Sequence, residues 1–247
     1  MREGRSLNGD YIAFFDSGVG GLTLLAECVR RYPQGRYLYY GDNANAPYGD
    51  KSEREIAERV RAAFARIRAF PVRAACIACN TVTAACIDAL RAELPFPLVG
   101  TEPALRPAVL AARGGRVLLL ATRATLRSAR LRRLAASCAG AEIVPYCPAD
   151  LAGEIERNIF DLSRVRLVLP RERFDAAVLG CTHYVWLRGR IAAALGCPVF
   201  DGNAGTADHL ATIANIRSEN LIKTNKNSPL FVGESAKINE KAFSLLI

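Results

Sequence analysis

The sequence predicts an α/β protein made of two similar α/β domains with mainly parallel sheets, its functional site lying in the cleft between them. Short apolar, β-rich runs alternate with helix-compatible stretches, the pattern of parallel strands covered on both faces. The alternation occurs twice, in the same order and with similar spacing. In addition, Ala74-Ala75-Cys76-Ile77-Ala78-Cys79-Asn80-Thr81 aligns without gaps on Ala176-Ala177-Val178-Leu179-Gly180-Cys181-Thr182-His183, strand over strand and cysteine over cysteine.

In the first series the strand-like runs are 11–15, 37–41, 74–78 and 97–99. Between the second and third, Ser52 and Glu55 stand at capping-box spacing, and Ile56, Val60, Phe64 and Ile67 form one helical stripe before Pro71 ends it. The second series has strands at 116–121, 142–146, 175–180 and 198–200. The tail differs in composition: Lys223 and three later lysines are four of the five in the chain, and no arginine follows Arg217. Even so, 230–232 reads as a strand and 236–246 as a helix with Ile238, Ala242 and Leu245 on one side, which predicts docking. The expected domains are 1–99 with 208–247 as a returning segment, and 100–207.

A chain of 247 residues can bury one large core or two small ones. Hydrophobic residues at 51%, charged residues at 23% and a mean hydropathy of +0.09 exclude the disordered class. No run approaches the roughly 18 apolar residues of a membrane helix, and the first residues lack the apolar stretch of a signal peptide. A soluble, cytoplasmic protein without membrane partners is expected. The eight cysteines are scattered through apolar patterns rather than set as a disulfide frame in a short chain, so reduced thiols are expected, with Cys28, Cys86, Cys138 and Cys197 serving packing. A net charge of +9 admits nucleic acid. The arginine runs at Arg127, Arg130, Arg132 and Arg133 and at Arg164, Arg166, Arg171 and Arg173 lack interleaved aromatics, however, and read as solvated helix faces. No nucleic-acid partner is expected.

In open α/β sheets ligands bind beyond the carboxyl ends of the strands. Four polar clusters fall there: Asp16-Ser17-Gly18, Pro47-Tyr48-Gly49, Cys79-Asn80-Thr81 and Cys181-Thr182-His183, with Thr122 and Thr125 placed similarly after the strand at 116–121. Singly, Asp16, Ser17 or Thr122 could be a helix cap and Cys79 a small core residue. Together they present two thiols to one cleft. A thiol at a helix N-terminus is expected to have its pKa lowered from about 8.5 towards neutrality, fit to act as acid or base. Two such thiols on opposite sides of a carbon acid could remove a proton from one face and deliver one to the other.

Asp16-Ser17-Gly18-Val19-Gly20-Gly21-Leu22, Pro47-Tyr48-Gly49, Ala78-Cys79-Asn80-Thr81 and Gly180-Cys181-Thr182-His183-Tyr184 resemble, in order, the signatures of the glutamate racemases. The resemblance spans most of 11–208. It implies interconversion of L- and D-glutamate for peptidoglycan, with no pyridoxal phosphate, other cofactor or metal. It further implies that Cys79 and Cys181 are the acid/base thiols, Asp16 assisting the first and His183 the second. Ser17, Tyr48, Gly49, Asn80, Thr81, Thr122, Thr125 and Thr182 would then hold the substrate's ammonium and carboxylates. A homodimer acting on glutamate is expected.

The chain departs from the family pattern at Val185, where proline is usual, and at Asp201-Gly202, where Asp-Ser is usual. After Cys147-Pro148, Glu154 and Glu156 both suit a further acidic site position. Aspartate or another amino acid is the alternative substrate, although aspartate racemases typically follow the second cysteine with Thr-Glu. Gly18, Gly20 and Asp42 resemble part of a dinucleotide fingerprint, but Thr23 stands at its third glycine. Cys76-x-x-Cys79 could be a redox pair or half a zinc site, but no second paired motif completes it.

Overall fold

The computed structural model describes residues 10–216 and 228–247. The first half runs β1 (Tyr11–Asp16), α1 (Leu22–Arg31), β2 (Arg36–Gly41), α2 (Glu53–Ile67), β3 (Val72–Ile77), α3 (Asn80–Glu93) and β4 (Leu98–Gly100). The second runs α4 (Leu105–Ala112), β5 (Arg116–Leu120), α5 (Arg123–Arg127), α6 (Ala129–Ala136), β6 (Glu142–Tyr146), α7 (Leu151–Arg157), β7 (Ala176–Leu179), α8 (Thr182–Val185), α9 (Arg188–Leu195) and β8 (Val199–Asp201). The chain then returns through α10 (Asn203–Ile213), which packs on α1, to β9 (Leu230–Val232) and α11 (Ala236–Phe243).

Two parallel sheets result, ordered β4-β3-β1-β2-β9 and β6-β5-β7-β8. Without β9 the two orders are the same, and β3 and β7, the strands of the aligned octapeptides, hold the same place beside the first strand of each half. Both faces of each sheet are covered, so the strands are apolar almost throughout. One core gathers Ile12, Phe14, Cys76, Leu118, Leu120 and Leu179 from both sheets, and separate outer cores lie beyond each. Alternation along the strand sends Cys76 into the shared core and Cys79 to the opposite face. They cannot pair or share a metal. Cys28, Cys86 and Cys138 are buried and Cys197 packs against the shared core, as expected.

Ser52 caps α2 by accepting the Glu55 N–H at 3.2 Å, while the Glu55 side chain turns to Lys51 and Arg59 instead of completing a capping box. In the tail, β9 pairs parallel to β2, Phe231 beside Tyr39, as the expected docking requires. The face of α11 needs correction. Ile238 and Leu245 are exposed, and the helix buries Asn239, Ala242 and Phe243. Phe243 anchors it, its ring 5.7 Å from that of Phe231, and the helix stops there, short of residue 246. No described helix is long and apolar enough to cross a membrane.

Candidate active site

The carboxyl ends of the two sheets face each other, and the polar clusters meet between them. Cys79 follows β3 and is the residue before α3; Cys181 follows β7 and is the residue before α8. Both are buried. Cys79 Sγ lies 3.6 Å from Ser17 Oγ, and Cys181 Sγ lies 3.8 Å from His183 Nδ1.

Hydroxyls at the start of each of these helices reach the other half. Thr182 Oγ1 donates to Asp16 Oδ2 at 3.2 Å. Thr81 Oγ1 stands 2.9 Å from Thr122 Oγ1 and 3.3 Å from Thr125 Oγ1. The Gly49 carbonyl accepts the Ala124 N–H across the same divide, at 3.2 Å. The Tyr48 hydroxyl donates to Asp42, which gives Asp42 a place in the site rather than in a dinucleotide fingerprint. Asn80 Oδ1 is buried without a hydrogen-bond partner. On the outer side of Gly49 a cleft of about 510 Å³ opens between the halves, lined by Lys51, Ser52, Arg123 and Arg127 among others.

The structure chooses between the two glutamates. Glu156 Oε1 stands 2.5 Å from His183 Nε2 and accepts the Val19 N–H at 2.7 Å; Oε2 accepts from Asn43 Nδ2 at 3.1 Å. Glu154 instead accepts the Arg166 N–H at an exposed position. On α7, Glu156 lies one turn after the buried Ala152 and Glu154 one turn after the buried Leu151, so helical spacing alone leaves both open and the choice is made by tertiary contacts. Gly18 and Gly20 make that approach possible. A Cβ at 18 would stand 1.7 Å from Glu156 Oε1, and one at 20 would stand 2.6 Å from His183 Nδ1. Of the two departures from the racemase pattern, Val185 ends α8 half-buried, and Gly202 precedes α10 while Asp201 pairs with Arg188.

The electrostatics differ from the expectation for a helix-terminal thiol. Burial, then the neighbouring Asp16 carboxylate, push Cys79 up to about 12, outweighing the Val82 N–H and the Ser17 hydroxyl. Burial likewise raises Asp16 above the usual carboxylate range, against the pull of His183 and the Gly18 N–H. At His183 burial opposes the charged form, yet hydrogen bonds to Cys181 and Glu156 prevail and raise it well above its ordinary value. Among the described residues no group of three or more His, Cys, Asp or Glu is arranged to hold a metal ion.

A profile of the Asp/Glu/Hydantoin racemase family matches residues 17–210. The chain is 38% identical to a glutamate racemase of Leptospira borgpetersenii, the match covering 83% of each, and 36% identical to one of Clostridium acetobutylicum, covering 87% of this chain and 90% of that one. Its fold is similar to that of Escherichia coli glutamate racemase, solved with L-glutamate and the activator UDP-MurNAc-ala. The TM-score is 0.79 at 29% identity, over 96% of this chain and 95% of that one. The Thermus thermophilus glutamate racemase, solved with β-chloro-D-alanine, gives a TM-score of 0.68 at 27% identity, over 96% and 93%. With two similar half-sheets, a cysteine ahead of a helix in each, and relatives matching along most of its length, the chain belongs to the Asp/Glu/Hydantoin racemase family of isomerases.

Proposed function

We propose that this chain is a cofactor-independent glutamate racemase, a cytoplasmic homodimer whose two thiols interconvert L- and D-glutamate and which supplies D-glutamate for peptidoglycan. The carrying observation is the paired setting of Cys79 and Cys181, each buried at the end of an equivalent strand, each beside a hydrogen-bonding neighbour. In this reading 1–99 with 208–247 form one domain and 100–207 the other, with glutamate between them.

From L-glutamate the Cys181 thiolate takes the Cα proton, with His183 held as imidazolium by Glu156 beside it. The electron pair left on Cα delocalises into the adjacent carboxylate, stabilised by the hydroxyls of Ser17, Thr81, Thr122, Thr125 and Thr182. Cys79, kept protonated by burial and Asp16, donates its proton to the opposite face. The product is D-glutamate, with Cys79 left as thiolate and Cys181 as thiol, the state that runs the reverse reaction. Tyr48, Gly49 and Asn80 complete the binding of carboxylates and ammonium, Asn80 Oδ1 accepting from the ammonium. The positive charge of that ammonium beside Asp16 offsets the part of the rise at Cys79 that Asp16 causes, which, together with the Val82 N–H and the Ser17 hydroxyl, lets the same sulfur serve as base towards the D isomer.

Incubation with L-glutamate in deuterium oxide, following optical rotation and exchange at Cα, tests this. Both should proceed without added cofactor, with aspartate at least about tenfold slower, a gap that one lost carboxylate contact supplies. Absence of exchange, or equal turnover of aspartate, overturns the assignment.

A further inference from the structure

Tyr39 is fully buried on β2, and its hydroxyl donates to the Gly18 carbonyl at 2.7 Å. That carbonyl belongs to the peptide joining Gly18 to Val19, whose N–H donates to Glu156 Oε1 at 2.7 Å. The same Oε1 stands 2.5 Å from His183 Nε2, and His183 Nδ1 lies 3.8 Å from Cys181 Sγ. Hydrogen bonds therefore run without a break from a tyrosine of the first half, through one peptide group, to the thiol of the second. A peptide group is planar and its two ends share one π system, so a donor on the oxygen fixes the direction of the N–H and strengthens it as a donor. Among the described residues, the Tyr39 hydroxyl is the one donor to the Gly18 carbonyl. The Val19 carbonyl, which accepts the Trp186 indole N–H at 3.1 Å, belongs to the next peptide plane and does not fix the one before it. Packing does not require the hydroxyl, since the contact of the ring with Phe231, 6.1 Å between centroids, would be made equally by phenylalanine.

We propose that Tyr39 is a positioning residue: through the Gly18–Val19 peptide its hydroxyl holds Glu156 against His183, and so governs proton abstraction by Cys181. Without that donor the peptide plane turns, its N–H leaves Oε1, and the carboxylate, retained by Asn43 at Oε2, loosens from the imidazole. Burial, with the Asp16 and Glu156 carboxylates nearby, raises the phenol well above its ordinary value, so it stays protonated and remains a donor. The inference rests on the reading of Cys181 with His183 as the pair that works on the L isomer. The first-half thiol does not depend on the same bond. Cys79 is met by the Ser17 hydroxyl, and Asp16 accepts the Gly18 N–H of the preceding peptide at 2.8 Å and the Thr182 hydroxyl at 3.2 Å. Besides Glu156, the ionisable groups facing His183 are Cys181 and Asp16, and neither is bonded to the Tyr39 hydroxyl.

Because L- and D-glutamate are equally stable, racemisation rates in the two directions are tied together, and the test uses elimination. Abstraction of the Cα proton from 3-chloroglutamate expels chloride from Cβ, and the resulting enamine hydrolyses to 2-oxoglutarate and ammonia. In Tyr39→Phe, elimination from the L isomer should fall about 10- to 100-fold relative to the D isomer, the range for misplacing a catalytic group from a distance. In a Glu156→Gln background the same change should add little, since Tyr39 acts through that carboxylate. Tyr37→Phe is the control. The Tyr37 hydroxyl, buried on the same strand, donates to the Tyr32 carbonyl at 2.6 Å and has no link to Glu156, so its loss should leave the L-to-D ratio unchanged. NMR titration of His183, one of two histidines in the chain, should show its pKa moved down in Tyr39→Phe and not in Tyr37→Phe, because the carboxylate that favours the imidazolium is looser, whether or not glutamate is the substrate. Either an unaltered L-to-D ratio or an unaltered His183 titration overturns the proposal, as do an equal loss for both isomers and a full further loss in the Glu156→Gln background. Failure of the unaltered chain to racemise glutamate, with His183 still responding to Tyr39, overturns the substrate reading alone. If Tyr39→Phe does not fold, 4-fluorophenylalanine at position 39, which fills the place of the hydroxyl without a donor, is read in the same way.

Discussion

Asp16 holds a carboxyl group where charge is expensive. It is fully buried, and its raised pKa means that the folded chain binds this proton more tightly than the unfolded chain does. The resulting stabilisation is complete below the ordinary carboxylate range and is lost as pH rises through the folded value. Asp16→Asn should therefore be more stable than the unaltered chain at neutral pH, by on the order of 1 kcal/mol, with the advantage shrinking towards pH 4, while racemisation falls. Urea denaturation at the two pH values checks this. The cysteines should separate by isomer. With 3-chloroglutamate, Cys79→Ser should spare elimination from the L isomer and suppress it from the D isomer, Cys181→Ser should do the reverse, and either should cost racemisation about 10² to 10⁴. Equal losses would refute the facing-thiol geometry. Both cysteines, Asp16, Ser17, the threonines and His183 were legible in the sequence because polar residues at the carboxyl ends of parallel strands converge. Asn43 was not. Its amide donates to Glu156 Oε2, which stands far from it in sequence, and only the fold brings the two together.

Among the helices, α2 was the most legible, since its cap, its stripe and its stop agree. Ser52→Ala should lower stability by about 1 kcal/mol, because the Glu55 N–H loses its acceptor and the Glu55 side chain, already engaged by Lys51 and Arg59, does not replace it. A thermal melt should show a fall of about 2–4 °C for a chain of this size. The strands were read nearly to the residue because parallel strands buried on both faces are continuous apolar runs. Helix α11 shows the limit of periodicity. Of the expected stripe Ala242 is buried but Ile238 and Leu245 are exposed, and the buried face is turned towards Asn239 and Phe243 because Phe243 has an aromatic partner in Phe231, a contact that local spacing does not encode. The pKa of Cys79 was misjudged for a related reason: the head of α3 was visible in sequence, whereas the depth of burial and the neighbouring Asp16 depend on tertiary structure.

Taken together, the two halves are interlocked at the site rather than simply adjacent. Thr182 bonds Asp16, Glu156 bonds Val19, the Trp186 indole donates to the Val19 carbonyl, and Thr81 meets Thr122 and Thr125. Each half supplies hydrogen-bond partners to strand-end residues of the other, and the core they share gathers residues of both sheets. The returning tail adds a constraint of timing. Strand β9 forms the outer edge of the first sheet beside β2, so during synthesis that edge of β2 stays bare until residues 230–232 have been made, after the other strands of both sheets. An unpaired parallel edge invites pairing with other chains, and here its cover follows both halves in the sequence. A ribosome stalled shortly before residue 230 would carry both thiols and an open sheet edge beside β2, which pairing with β9 closes.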